Sequence, residues 1–209
     1  DKVSRAADEV RARRIQAFCL EGGNTPNDSI HRLQIAEKLK EWWEKAPADN
    51  IDFFGGSGGV AVLIGEEGTG KSWAAASFAE EVSKSKSAAV FWLNSLDWST
   101  MDSVDGVLHA AARSVAGVDA DDGFAEKVVK KIKSRWDRPT LIVLDGANER
   151  GALRAAERII GDYKNHADTL LRNVKLLFTT RASDVLPVSS RIWAKTRKIK
   201  VAEFSDQEF

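Results

Sequence analysis

Beyond residue 60 the chain alternates short apolar runs with longer stretches in which apolar residues recur at helical spacing. The apolar runs predict five buried strands, at residues 60–64, 88–94, 140–145, 174–179 and 198–201. The amphipathic stretches predict helices at residues 71–84, 101–116, 123–136 and 153–165. Apolar strands that alternate with such helices are typical of a parallel sheet covered on both faces. The pattern therefore predicts a three-layer α/β/α domain around a mostly parallel five-stranded sheet.

The residues before this domain have helical periodicity of their own. A first helix is predicted at residues 2–20, and the glycines that follow it end the pattern. A second helix is predicted to begin at Thr25-Pro26, since threonine caps helices and proline fits their first turn, and to end near Pro47. Its apolar stripe includes Trp42 and Trp43, which we interpret as packing residues. We therefore expect an N-terminal helical segment, residues 1–48, that packs on a core of residues 49–200.

Composition narrows the classes of protein to which the chain can belong. Lys and Arg number 31, as do Asp and Glu, and a net charge of zero disfavours a protein that mainly coats nucleic acid or an acidic membrane. Cys19 is the single cysteine, which excludes an intramolecular disulfide and favours a cytoplasmic location. No apolar run approaches the ~18 residues that would span a bilayer. We expect a fragment of a larger protein, because the sequence begins at Asp1.

The first predicted strand leads directly into a glycine-rich segment that carries the strongest chemical signal in the chain. This segment is Gly65-Glu66-Glu67-Gly68-Thr69-Gly70-Lys71-Ser72, which matches G-x-x-x-x-G-K-[S/T]. Its glycines allow successive amides to face phosphate oxygens, and the following helix adds its positive end. We expect Lys71 to contact the β- and γ-phosphates and Ser72 to bind Mg²⁺. These residues, with Trp73, are the predicted binding site for ATP or ADP.

Two later strands end in residues that suit the same site. The strand at 140–145 ends in Asp145, whose carboxylate is expected to hold Mg²⁺ beside the loop. The strand at 174–179 leads into Thr180 and Arg181, and a guanidinium at this edge of the sheet can contact a γ-phosphate bidentately. From the residues alone, a solvated arginine at the end of a strand is an equally good interpretation of Arg181.

With these motifs in this order, residues 50–209 resemble the STAND class of P-loop ATPases, which includes the NACHT and NB-ARC proteins. Residues 145–149 are similar to the D-G-x-D-E run of NACHT-like members, with Asn148 in place of an acid. Residues 176–181 look like their hhhTTR strand, and residues 201–209 look like the start of a C-terminal helical lid. Trp73 and the compact core are most similar to prokaryotic antiviral members.

The resemblance implies an ATPase switch whose nucleotide state controls self-association and activation of an effector. Effector and sensor domains would lie outside this sequence, and a viral protein would be the trigger in antiviral defence. The catalytic residues implied are Lys71, Asp145, Glu149 and Arg181. Because Asn148 cannot act as a base, that role would fall to Glu149 and hydrolysis would be slow. Adenine is implied by the resemblance, and the chain lacks the N/T-K-x-D pattern of guanine-binding proteins.

Three alternatives stay open at this point. A nucleotide-binding scaffold with little turnover is compatible with Asn148. An AAA+-like ATPase that acts on DNA would need a basic face, for which residues 127–138 and 191–200 are the candidates. A small-molecule kinase would need a substrate pocket and a mobile lid, neither of which is identifiable. Charged residues on a helix are usually a solvated face, so we expect no nucleic acid binding by residues 1–209.

Overall fold

A computed structural model describes residues 33–45, 58–84, 88–116, 122–134, 139–149, 151–166, 171, 173–181, 193 and 196–201. The helices within these residues are α1 (Leu33–Glu44), α2 (Lys71–Lys84), α3 (Ser95–Trp98), α4 (Val104–Ala116), α5 (Asp122–Lys133) and α6 (Ala152–His166). The strands are β1 (Val60–Ile64), β2 (Ala89–Leu93), β3 (Thr140–Leu144), β4 (Val174–Thr180) and β5 (Arg197–Lys200). They form one five-stranded sheet in the order β2-β3-β4-β1-β5.

Every strand pair in this sheet is parallel, where the sequence predicts a mostly parallel one. The predicted fold class is confirmed, and each predicted strand is present within one or two residues of its expected bounds. Two helix boundaries differ from prediction. The helix expected from residue 101 begins at Val104, where the Ser103 hydroxyl accepts from the amide of Gly106 at 3.2 Å, and α5 ends at Lys133 rather than at residue 136. The helix predicted at 2–20 and the start of the next at Thr25 lie outside the described residues.

The two faces of the sheet are buried against different helices. In β1, Val60, Val62 and Ile64 contribute to a core that includes residues of α4, α5 and α6. Ala61 and Leu63 point to the opposite face, where the core includes residues of α1 and α2. This alternation follows from the two-residue period of a strand, and it produces the three predicted layers. No helix within the described ranges is long and apolar enough to cross a membrane.

The prediction that Trp42 is a packing residue is confirmed. Its side chain is fully buried beside Phe78 of α2, with ring centroids 6.4 Å apart, and its Nε1 donates to the carbonyl of Gly58 at 2.9 Å. Trp43 is partly buried on the same core and lies 6.4 Å from Phe78. Helix α1 is thereby held against α2 on one face of the sheet.

A lysine inside the sheet also holds α1. Lys175, in β4, is only 5% exposed, and its Nζ donates to three carbonyls at the end of α1. The acceptors are Trp42 at 2.7 Å, Trp43 at 2.8 Å and Lys45 at 2.5 Å. These are carbonyls that the end of a helix leaves without intrahelical donors, and the negative end of the helix dipole favours a cation there. Lys175 therefore caps α1 from within the sheet.

Because Lys175 is buried, we expect the free energy of unfolding to depend measurably on pH. Burial lowers the pKa of this ammonium to about 8, so between pH 8 and 10.5 the folded protein loses a proton that the unfolded chain retains. Since the unfolded state then binds more protons, the free energy of unfolding rises with pH through this window. Between pH 7 and pH 9.5 we expect the free energy of unfolding of the parent to rise by about 2 kcal/mol relative to that of Lys175→Met. Both are measured by urea unfolding.

The control is Lys198→Met, because Lys198 is an exposed lysine on the neighbouring strand β5. This variant should keep the pH dependence of the parent. If Lys175→Met and the parent have parallel stability curves over this range, Lys175 does not titrate with a lowered pKa in the folded protein.

Candidate functional site

The glycine-rich segment forms a curled turn between β1 and α2. Gly68 and Gly70 have φ angles of 78° and 79°, which glycine adopts without the steric cost that a Cβ imposes. The turn is closed by Thr69, whose amide and hydroxyl both donate to the carbonyl of Glu66, at 3.4 Å and 2.8 Å. The first helical amides of α2 then have no intrahelical acceptors. This is the geometry in which backbone amides bind phosphate.

Nine of the ten residues predicted to bind nucleotide, residues 65–73, lie together in this turn and in the first turn of α2, and the tenth, Arg181, directly follows β4. Gly65 and Thr69 are buried, whereas Gly70, Lys71, Ser72 and Trp73 are partly buried. Glu66, Glu67 and Gly68 are exposed at the rim of the turn. The amide of Gly65 donates to the carbonyl of Thr180 at 3.3 Å, which joins the start of the turn to the end of β4.

Two cationic side chains lie at the turn. The Nζ of Lys71 donates to the carbonyl of Glu66 at 2.5 Å, and Arg181 Nη2 lies 2.8 Å from a carboxylate oxygen of Glu67. Burial, helped by the positive charge of Arg181, lowers the pKa of Lys71. A bound anion would counteract both effects. Its negative charge would compensate the ammonium of Lys71 for its lost hydration and would reduce the repulsion between Lys71 and Arg181. The turn is therefore suited to polyanions.

Asp145 is the centre of a hydrogen-bond network at the same edge. Its Oδ1 accepts from the hydroxyls of Ser72 at 3.0 Å and Thr179 at 2.5 Å. Thr179 Oγ1 in turn accepts from the amide of Gly146 at 2.9 Å, and the carbonyl of Asp145 accepts from Trp98 Nε1 at 3.2 Å. Burial raises the pKa of Asp145, although the hydrogen bonds from Thr179 and Ser72 act in the opposite direction.

Ser72 and Asp145 are suitable ligands for Mg²⁺. A carboxylate and a hydroxyl joined by one 3.0 Å contact provide the oxygen donors that this ion prefers. Among the described residues no group of three or more His, Cys, Asp or Glu side chains could hold a metal. Mg²⁺ is commonly held by one or two protein groups together with substrate phosphates, which agrees with so small a donor set. A cation here would also favour the ionised form of the partly buried Asp145.

Glu149 is held by the helix that follows β2. Its carboxylate accepts a hydrogen bond from the hydroxyl of Ser95, a buried residue of α3. Helix α3 follows β2, and the sheet order separates β2 from β1 by two strands. The glycine-rich turn follows β1, so Ser95 holds the carboxylate toward the end of the site farther from the turn. Asn148 is partly buried beside it.

Three residues of the network were not predicted as site residues. Thr179 is part of the T-T-R run that the sequence analysis identified. Because successive side chains of a strand point to opposite faces, Thr179 and Thr180 cannot both face Asp145, and the strand period could have indicated which of them does. Ser95 and Trp98 belong to a four-residue helix, α3, whose start carries a capping pattern of Asn94 and Asp97. Their contacts with Glu149 and with the Asp145 carbonyl depend on tertiary structure alone.

No family model matches the chain, and no curated protein matches it in sequence. Solved structures do resemble it. The Cdc6p protein of Pyrobaculum aerophilum has a TM-score of 0.55 and 17% identity, over 85% of this chain and 47% of that one. The Aeropyrum pernix ORC2 protein, solved in ADPNP–ADP complexes, has a TM-score of 0.56 and 15% identity, over 85% and 49%.

The ORC1 protein of Aeropyrum pernix, solved in complex with DNA, has a TM-score of 0.51 and 20% identity, over 86% of this chain and 47% of that one. This chain therefore spans about half the length of these proteins. At such identities the similarity shows a shared fold, which is that of the P-loop NTPases.

Two adjacent threonines provide a test of the Asp145 network. Thr179→Val removes a donor to Asp145 and an acceptor for the Gly146 amide, so we expect it to lower the free energy of unfolding by about 1–3 kcal/mol. Thr180→Val is the matched control, because the Thr180 hydroxyl is buried and has no hydrogen-bond partner. That change should be neutral or stabilising in the same denaturant titration. Equal destabilisation by both variants would contradict the role of Thr179.

Proposed function

We propose that the chain is the nucleotide-binding domain of an ATPase switch. The observation that carries this proposal is the meeting, at one edge of the sheet, of a curled glycine turn, the cations Lys71 and Arg181, and the hydrogen-bonded pair Ser72–Asp145. Each part suits a different portion of a nucleoside triphosphate with its metal ion. The P-loop NTPase fold supports the same activity.

In this proposal the amides of residues 65–72 hold the β-phosphate, and Lys71 bridges the β- and γ-phosphates. Arg181 contacts the γ-phosphate, which makes it the group that distinguishes ATP from ADP. Ser72 and Asp145 would hold Mg²⁺, whose charge would stabilise the phosphates when the ion is bound. When the nucleotide binds, Lys71 would leave the carbonyl of Glu66 and Arg181 would leave the carboxylate of Glu67. Both cations would then contact phosphate oxygens.

Slow hydrolysis follows from the position of the predicted base. Asn148 has no basic group, and the carboxylate of Glu149 is engaged by Ser95. That hydrogen bond fixes one carboxylate oxygen next to α3, and only the other oxygen is left to accept a proton from an attacking water. A site that binds ATP readily and hydrolyses it slowly retains each nucleotide state for long periods, as a switch requires.

The STAND-like features carry the finer part of the proposal. They are the T-T-R run ending in Arg181 and the residues from Asp145 to Glu149. On this basis we propose that ATP binding promotes self-association of the longer protein in the cytoplasm and activates an effector domain, in antiviral defence with a viral protein as the trigger. Lys71, Asp145, Glu149 and Arg181 would be its catalytic residues.

A second candidate is an AAA+-like ATPase that acts on DNA. It is favoured by the similarity in fold to the Aeropyrum pernix ORC1 protein, which was solved with DNA. Lys127 and Lys130 of α5 are exposed and could contact phosphates, but Lys133 on the same helix pairs with Asp105 of α4. The zero net charge of the whole sequence also disfavours strong DNA binding. We therefore propose the switch first.

The test of nucleotide binding is Lys71→Ala. We expect at least about a 10-fold loss of ATP affinity, because a charged donor to the phosphates is removed. Binding is measured by calorimetry with Mg²⁺ present. Lys84→Ala is the control, since Lys84 lies on the same helix, is 68% exposed and pairs only locally with Glu80. Unchanged ATP affinity in Lys71→Ala would overturn the assignment of the site.

Phosphate release with and without duplex DNA separates the two candidate functions. For the switch we expect turnover below about 1 s⁻¹, the low end of the usual range for enzymes, and no increase when DNA is added. Turnover that rises several-fold with DNA would instead support the DNA-acting ATPase. The Lys71→Ala protein should release no phosphate above background in either condition, which controls for a contaminating ATPase.

A further inference from the structure

The glycine-rich turn contains two consecutive glutamates whose surroundings differ. Glu66 and Glu67 occupy positions that the G-x-x-x-x-G-K-[S/T] pattern leaves free, and both are exposed. Glu67 forms an ion pair with Arg181, with Oε2 and Nη2 2.8 Å apart. Glu66 contributes its backbone carbonyl to Lys71 and Thr69. An acidic side chain in the turn therefore faces the guanidinium that our proposed function assigns to the γ-phosphate.

The turn thus provides a substitute partner for each cation of the site. The ammonium of Lys71 is held by a carbonyl at 2.5 Å, which is a neutral acceptor. The guanidinium of Arg181 is held by a full negative charge, and its side chain is 41% exposed. Carboxylates and phosphates bind the same fork of guanidinium N–H groups, so one excludes the other from a given pair of donors.

We propose that Glu67 is an internal substitute for the γ-phosphate, which holds Arg181 in the absence of triphosphate and must be displaced when ATP binds. This inference rests on the proposed function and adds a residue that determines nucleotide preference. ADP has no γ-phosphate and leaves the Glu67–Arg181 pair intact. The displacement therefore weakens the binding of ATP and not that of ADP, and Glu67 lowers the preference of the site for ATP.

The size of the effect follows from the exposure of the pair. Glu67 is 80% exposed, so the ion pair is screened by water and its loss is worth a small factor. We expect Glu67→Gln to raise the ratio of ATP to ADP affinity by about three- to five-fold. Removing any negative charge near the site also strengthens the binding of both ATP and ADP, because it reduces electrostatic repulsion. This general effect has to be measured with a separate control variant.

Glu66→Gln provides that control. It removes the same charge from the neighbouring position and retains the backbone carbonyl that accepts from Lys71. Affinities for ADP and for adenylyl imidodiphosphate, a slowly hydrolysed ATP analogue, are measured by calorimetry with Mg²⁺. Glu66→Gln should strengthen both, the triphosphate slightly more because of its larger charge, whereas Glu67→Gln should raise the ratio of the two affinities clearly further. Thermal unfolding of both variants checks that the fold is intact.

A second comparison tests whether the effect acts through Arg181. We expect Arg181→Ala to bind ADP as the parent does and to bind the triphosphate more weakly. In this background Glu67→Gln should change the ratio of the two affinities no more than Glu66→Gln does, because the partner that it releases is absent. A selective gain that persists without Arg181 would overturn the inference.

The outcomes separate this inference from the function on which it rests. If the parent protein binds neither nucleotide, the proposed function fails and the inference fails with it. If the parent binds both and Glu66→Gln and Glu67→Gln change the affinity ratio equally, Glu67 is not a substitute for phosphate, while the nucleotide site stands. A selective change in Glu67→Gln that requires Arg181 supports the inference.

Discussion

The parallel registers of β1, β3 and β4 determine where every side chain of the site can lie. Ile64 of β1 pairs with Thr180 of β4, and Leu144 of β3 pairs with Phe178. The three strands therefore end within two residues of the same level, and the segments that follow them leave the sheet side by side. A shift of one residue in either pair would turn Thr179 or Asp145 to the opposite face. The hydrogen bonds of Asp145 with Ser72 and Thr179 thus depend on main-chain register.

Burial at this edge opposes the charges that the chemistry requires. It lowers the pKa of Lys71 and raises the pKa of Asp145, so both groups are charged less readily than in water. Hydrogen bonds within the turn and from Thr179 and Ser72 offset part of this cost. A triphosphate with its metal ion would supply an opposite charge to each group, and the nucleotide would then stabilise the folded domain by mass action.

Hydrophobic patterning predicted the fold because a buried parallel strand needs little more than a continuous apolar run. The candidate site stays a prediction, and the sequence could place its residues together only where they are adjacent in the chain or end a strand: residues 65–73, Asp145 and Arg181. Lys175 could not be recognised as a helix cap, since a lysine in V-K-L-L-F gives no indication of the carbonyls that face it. The Ser95–Glu149 and Glu67–Arg181 contacts were missed for the same reason, because each joins groups brought together only by folding.

Among the described residues, strand β4 connects a buried cation at its start with an ion-paired cation just after its end. Lys175 near its start is buried and holds the end of α1 through three carbonyls. Arg181 after its end is partly exposed and has a side-chain partner in a turn. A strand that is hydrogen-bonded on both sides within a buried sheet is among the last parts of a protein to open, so β4 and α1 form a fixed frame. A change of nucleotide would therefore be expressed in the turn around Glu67 and at Arg181, whose ion pair is exposed to solvent.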